Sequence, residues 1–267
     1  MSNGEHATDY CAAELMAAFF SRDIKDGEFG VIGTFSQIPW MALRLAQATH
    51  APSCWFCCGP SAAINSQFPK LLWSTGDYRM HVGAESRITL DGVMDMQGNP
   101  RLIDFGFYGG FQIDKYGNLN MGFIGDQKKP RFRGPGTVGT MATAWLKRSY
   151  LFTHYHSPRL FVEKVDFISG PGFIDGPKGR EKAGCPSYSE GPRYLVTPIA
   201  VFDFDEETKI MRLKSVHPGH TVEEVKSRMG FTPVIPQNVP ETEPPTVEEL
   251  EFMRDYDADG ILPQLTQ

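Results

Sequence analysis

Two short apolar runs, residues 28–35 (EFGVIGTF) and 53–58 (SCWFCC), flank residues 38–49 (IPWMALRLAQAT). Each run has the length and apolar density of a strand buried on both faces. The segment between them has helical spacing, and Pro39 falls in its first turn, where a missing N–H breaks no helical hydrogen bond. Strand, helix and strand at this spacing make a βαβ unit, and a crossover of that kind leaves its two strands parallel. The expected fold is therefore α/β, an open and mostly parallel sheet flanked by helices.

The rest of the chain adds elements to that unit. Residues 8–20 have the periodicity of a helix that Thr8 could cap. Residues 101–108 (RLIDFGFY) make a further strand candidate. Residues 110–124 hold two extended runs around Tyr116-Gly117-Asn118, a hairpin signal. A short helix is expected over 138–147, and strands near 150–154 and 160–167. Residues 169–192 are too rich in glycine and proline for regular structure. Residues 193–204 and 209–216 form a hairpin around Asp205-Glu206-Glu207-Thr208. Thr221 with Glu224, and Thr246 with Glu249, have the spacing of capping boxes. The expected organisation is one α/β domain over residues 1–231. A proline-rich, acidic arm and a C-terminal helix (232–267) then pack on it or on a partner.

Charge and composition narrow the function classes. The 267 residues include 26 Lys and Arg against 32 Asp and Glu, a net charge of −6, so nucleic acid is not an expected partner. No apolar run is long enough to cross a bilayer, and no membrane partner is expected. The first twenty residues carry acids where a secretion signal carries bases. With an odd cysteine count of five, this points to a cytoplasmic protein with free thiols.

Two stretches carry candidate chemistry. Cys54, Cys57 and Cys58 crowd one strand, but a zinc site needs about four ligands, usually as two separated pairs, and there is no second CxxC. No metal is expected. Core packing is the leading reading of the three thiols. A thiolate at Cys58 is the sharper one, because ligands of open α/β sheets bind at the C-terminal ends of strands. The second stretch is RFRGPGTVGT (131–140), whose glycines would let backbone N–H groups approach a ligand. Lys128, Lys129, Arg131 and Arg133 make it locally basic and favour an anionic ligand over a mere tight connection. His154 and His156 form an H-x-H pair with no required role. His217 and His220, in HPGHT, precede a capped helix and fit a structural turn. Glu85, Asp104 and Asp114 are lone carboxylates without an assigned role.

Three stretches together resemble a known family: QIDKYGNLN (112–120) followed by IGD, GPGTVGT (134–140), and YLVTPIAVFDFDEETKIMRLKSVHPGHTVEEVKSRMGF (194–231). They are similar to the β subunit of family I CoA-transferases of the glutaconate type, and the resemblance runs from residue 14 to residue 231. It implies an open α/β domain paired with a homologous α subunit, an α2β2 heterotetramer and an acyl-CoA substrate. No separate cofactor is implied, since CoA is part of the substrate. The backbone at Gly134, Gly136 and Thr137 would hold the thioester oxyanion. In the family's transferases a glutamate follows the strand that SCWFCC resembles. Here Cys58 or Gly59 stands there, and no glutamate lies between Glu28 and Glu85. The family's Gly-Ser-Gly-Gly pattern is also altered, to Gly134-Pro135-Gly136-Thr137. The sequence resembles a branch that fits this departure, the β subunits of hydrolases that cleave a ring in bacterial cholesterol catabolism. That implies hydrolytic, retro-Claisen C–C cleavage of a bicyclic keto-acyl-CoA, with the general base on the α subunit. Cys58, Gly59 and Pro60, with Phe107 and Tyr108, would then line a roomier and less polar pocket. The β subunit of a true CoA-transferase and a non-catalytic structural subunit are the alternatives.

Overall fold

The computed structural model describes residues 4–99 and 102–266, which form two compact units. The first comprises residues 1–107 and 243–267, and the second residues 108–242. The arm belongs to the second unit as far as Thr242, and the C-terminal helix returns to the first.

The first unit contains α1 (Ala12–Asp23), β1 (Phe29–Ile32), α2 (Gln37–Thr49), β2 (Trp55–Cys58), β3 (Ala63–Ile64), β4 (Ser86–Arg87), α3 (Leu90–Gln97) and β5 (Phe105–Tyr108). Arg101, where that last strand was expected to start, lies outside the described residues. β1 runs parallel to β2, in a register that sets Phe29 beside Trp55 and Ile32 beside Cys58. It is also parallel to β5, with Gly30 beside Phe105. β3 and β4 extend the β2 side as antiparallel strands. The βαβ unit and the parallel α/β sheet are thus as the sequence implies. β1 is placed by a glycine: a Cβ on Gly30 would stand 2.4 Å from the Phe105 ring. Phe20, Trp40, Phe56 and Phe105 are shut from solvent in this unit's core.

Helix α1 starts later than expected, because Cys11 and not Thr8 occupies its N-cap. The Cys11 N–H donates to Glu14 Oε2 at 2.7 Å, so the acid three residues on sets the start. The C-terminal helix, Val247–Tyr256, has the complete capping box expected of Thr246 and Glu249. Glu249 also takes a two-pronged bond from Arg22 of α1, at 3.2 and 2.6 Å, which ties the returning helix to this unit.

The second unit contains β6 (Gln112–Asp114), β7 (Leu119–Asn120), β8 (Phe123–Gly125), β9 (Pro130–Arg133), β10 (Arg148–Phe152), β11 (Phe161–Val162), α4 (Gly179–Lys182), β12 (Pro192–Val196), β13 (Ala200–Phe204), β14 (Met211–Val216) and α5 (Val222–Ser227). β10 and β12 are parallel, and β13 and β14 follow as antiparallel neighbours. The strand expected over 193–204 is broken at residues 197–199. There the Thr197 hydroxyl oxygen accepts the Ile199 and Ala200 N–H groups and turns the chain. The helix expected over 138–147 is only a 3-10 turn, Thr140–Ala144, because Gly136, Val138 and Gly139 all have left-handed backbones. The strand expected over 160–167 shrinks to β11. Thr221 caps α5, but Glu224 bonds His220 and Arg228 at 2.9 Å each instead of closing a box. The arm covers the edge of β14, with Val234 paired to Met211 and Leu213, and Pro240 and Thr242 to Val216. No described helix is long and apolar enough to cross a membrane.

Gly30→Ala is expected to cost about 1–3 kcal/mol, since the Phe105 ring must leave its rotamer or the strand must shift. Chemical denaturation measures this, and an unchanged midpoint would contradict the packing described.

Candidate functional site

In the first unit the exit of β2 is built from hydrogen bonds. Gly59 N–H donates to the Ile32 carbonyl at 2.9 Å. The Cys58 thiol donates to the Thr75 carbonyl at 2.9 Å, and the Thr75 hydroxyl to the Gly33 carbonyl at 2.8 Å. The turn after β1, the exit of β2 and the segment around Thr75 are thereby locked together. Cys54, Cys57 and Cys58 are all fully buried. Burial pushes the Cys57 thiol up to about 12, with the neighbouring Cys58 adding to it. It pushes Cys58 up to about 11 against the opposing hydrogen bonds of Ser61. A thiol so placed is neutral near pH 7 and a poor nucleophile. Gly59 is partly exposed and Pro60 exposed at the same exit. No acidic residue occurs from Phe29 to Gly76, and the first, Asp77, is held by Arg79 at 2.7 Å.

The other residues expected near this strand have varied surroundings. Phe107 is 2% exposed and meets Phe20 edge-to-face at 5.1 Å, so its ring is part of the first unit's core. Tyr108, the next residue of β5, points to the opposite face, and burial pushes its phenol far above the usual range. Asp104 accepts the Phe29 N–H at 3.0 Å and Glu85 accepts an Asn65 N–H at 2.6 Å, so both serve the fold.

In the second unit the QIDKYGNLN stretch folds into the β6–β7 hairpin, and its polar residues are buried. Asp114 accepts N–H groups from Tyr116, Asn118 and the Asn118 side chain at 3.0–3.1 Å. Burial raises its pKa while those bonds pull it back. Asn118 Oδ1 accepts from Gly172 and Ile174 at 2.9 and 3.1 Å. Asn120 donates to Gln112 and to the Phe123 carbonyl, and accepts the Gly122 N–H at 2.9 Å. This clasp fixes residues 121–123, and the carbonyls of Met121 and Gly122 face the glycine loop. Polar side chains at alternate positions, Gln112 and Asp114 on β6 and Asn118 and Asn120 at the start and end of the return, are its sequence signature.

The glycine loop follows from that clasp. Gly134 N–H donates to the Gly122 carbonyl at 2.8 Å, and Gly136 N–H to the Met121 carbonyl at 3.2 Å. A Cβ on Gly134 would lie 2.4 Å from that Met121 oxygen. The two glycine N–H groups expected to face a ligand are therefore spent on the scaffold. Thr137, the third, and Val138 are exposed residues whose N–H groups have no acceptor among the described residues. Thr140 donates through N–H and hydroxyl to the Thr137 carbonyl, at 2.8 and 2.6 Å, which pins that peptide plane. Arg180 has no sequence signal of its own. It is buried and donates to the carbonyls of Gly172, Thr143 and Ala144 at 2.8–3.1 Å, bracing the turn behind the loop. Lys128, Lys129, Arg131 and Arg133 are exposed on the β8–β9 hairpin that leads into it.

His156 and His217 serve the fold. His217 is buried and bonds the Thr242 hydroxyl and the Thr197 carbonyl at 2.9 Å each. His156 bonds the Thr197 hydroxyl at 3.1 Å. Burial lowers the pKa of His156 to about 4 and of His217 to about 3. His220 pairs with Glu224 on the surface. Among the described residues, no group of three or more His, Cys, Asp or Glu side chains is placed to hold a metal ion.

Both buried histidines stay neutral in the fold but gain protons on unfolding below about pH 6.5. Stability is thus complete above that pH and falls as pH drops toward 4, by up to about 1.4 kcal/mol per pH unit for each. His217→Gln should flatten the slope in urea titrations, and an unaltered slope would contradict the assignment. Cys57 and Cys58 should resist iodoacetamide at pH 8 in the native protein and react after denaturation. Rapid native labelling of Cys58 would show a thiolate that this geometry does not support.

Comparison with known proteins places the chain. A family model described as Coenzyme A transferase matches residues 13–228. The β subunit of glutaconate CoA-transferase from Acidaminococcus fermentans is 31% identical over 84% of each chain. The β subunit of 3-oxoadipate CoA-transferase from Pseudomonas knackmussii is 30% identical over 93% of this chain and 94% of its own. The cholesterol ring-cleaving hydrolase IpdB subunit of Rhodococcus jostii is 28% identical over 55% of this chain and 56% of its own. The crystal structure of the Acidaminococcus glutaconate enzyme superimposes with a TM-score of 0.86, at 29% identity over 96% of this chain and 98% of that one. The chain belongs to the coenzyme A transferase family.

Proposed function

We propose that this chain is the β-type subunit of a two-subunit acyl-CoA hydrolase that opens a ring of a steroid-derived bicyclic keto-acyl-CoA. The observation that carries the reading is the chemistry at the exit of β2. Neither β2 nor its exit carries an acidic residue, and the thiol in the glutamate's place is buried and protonated. A route through an enzyme-bound glutamyl thioester has no nucleophile on this strand. That absence supports water as the acceptor of the acyl fragment.

In hydrolytic cleavage, hydroxide generated by a base on the homologous α subunit adds to the ring ketone. The tetrahedral alkoxide collapses to a carboxylic acid and breaks the bond to the carbon beside the thioester. That electron pair passes into the thioester as an enolate, which takes up a proton. The N–H groups of Thr137 and Val138 are suited to hold the enolate oxygen, since neither is spent on the scaffold. Gly134 and Gly136 act by shaping that peptide. Gly59 and Pro60, which follow the buried Cys58, give the β2 exit an apolar surface suited to a fused ring. Arg131 and Arg133 suit the phosphates of CoA. CoA enters as part of the substrate, and no further cofactor is required. The ring-cleaving name of the IpdB relatives supports this reading. An α2β2 cytoplasmic assembly is the quaternary form proposed.

One observation favours a second reading, the β subunit of a CoA-transferase. Relatives named as transferases match over 84% and 93% of the chain, against 55% for the ring-cleaving relatives. The complex with its cognate α subunit separates the two. Incubated with a bicyclic keto-acyl-CoA in H2(18)O without added carboxylate, it should yield ring-opened acyl-CoA with one heavy oxygen in the new carboxylate. Turnover that begins only on adding a carboxylate acceptor would replace the hydrolase by the transferase. Arg131→Gln with Arg133→Gln should raise KM severalfold, more at low than at high ionic strength. A salt-independent KM would remove these two residues from substrate binding.

A further inference from the structure

The turn that joins β1 to α2 holds an aromatic residue in a costly backbone conformation. Phe35 has a left-handed backbone, with φ at +53°, and its side chain is 70% exposed. Among the described residues it is the only aromatic with a positive φ. Glycine or asparagine would adopt that conformation at less cost. A phenyl ring so exposed returns little of that cost as buried area. The turn is nevertheless held firmly. Gly33 N–H donates to Ser36 Oγ at 3.1 Å, and the Ser36 hydroxyl to the Thr34 carbonyl at 3.4 Å. The Thr75 hydroxyl grips the Gly33 carbonyl at 2.8 Å, and the Trp40 N–H grips that of Ser36 at 2.8 Å.

The location gives the strain a meaning. Ile32, the last residue of β1, lies beside Cys58, the last of β2. Thr75 bonds Gly33 on one side and receives the Cys58 thiol on the other. The turn that carries Phe35 is thus fastened to the β2 exit, at the C-terminal edge of the parallel strands, where open α/β sheets bind ligands. A strained residue kept in place by its neighbours at such an edge points to a binding role.

We propose that Phe35 is a specificity-determining residue whose ring forms an apolar wall at the β2 exit and selects bulky cyclic acyl groups over short linear ones. The inference deepens the ring-opening reading and takes its ligand class from it. Its test needs no turnover, so it can fail or succeed apart from that reading. The intact complex with its α subunit is titrated calorimetrically with two unreactive CoA thioethers, one bearing a decalin bicycle and one a butyl chain. Phe35→Gly should weaken decalin binding about tenfold and leave butyl binding within about twofold. Phe35→Leu should recover most of the decalin affinity. The glycine variant should melt no lower than the parent, because it relieves the left-handed strain. Equal changes for both thioethers, or none, would overturn the proposal. Dissociation of the subunits with unaltered preference would do so too, by assigning Phe35 to subunit contact.

Discussion

A short relay of hydrogen bonds fixes the exit of β2 before any reacting group is considered. Gly59 holds the Ile32 carbonyl, Cys58 holds that of Thr75, and Thr75 holds that of Gly33. Each bond uses a main-chain carbonyl, so the arrangement fixes backbone positions and not merely side chains. It also decides the fate of the thiol. A group that donates to a carbonyl and is shut from water has every reason to keep its proton. The thiol at the strand end is therefore chemically quiet.

The second unit solves a different problem with the same means. Its glycine loop is positioned by a buried polar clasp, in which Asn120 sets residues 121–123 and the carbonyls of Met121 and Gly122 consume the N–H groups of Gly136 and Gly134. The donors that remain are at Thr137 and Val138, and the Thr140 side chain pins the peptide between them and the turn. Arg180 and Ser169 brace the rear of the loop, where Ser169 Oγ accepts from Met121 N–H at 3.0 Å and lies 3.1 Å from the Thr140 hydroxyl oxygen.

Much of this was legible in the sequence, and the misses have physical causes. The βαβ unit was legible because apolar runs and helical spacing are local signals. So were the β6–β7 and β13–β14 hairpins, from their turn residues. The break at Thr197 was not, because a side-chain hydroxyl competes with the ladder inside a run whose apolar pattern continues through it. The helix after the glycine loop failed for lack of three right-handed residues, a property that Val138 does not advertise. The direction of the Gly134 and Gly136 N–H groups depends on carbonyls held by Asn120, a long-range effect. The return of the C-terminal helix to the first unit rests on Arg22 and Glu249, which lie far apart in the chain. The absence of acid after β2 needed only counting, and the structure adds why the nearby thiol does not replace it.

The central claim is that acyl-CoA is opened by water and forms no covalent intermediate on this polypeptide. Mass spectrometry of peptic peptides, taken from the complex quenched with acid during turnover, measures this directly. The account predicts that every Asp and Glu of the chain is unmodified and that CoA leaves only in small-molecule product. CoA in thioester linkage to any of those carboxylates, at a level that rises and falls with turnover, would contradict it.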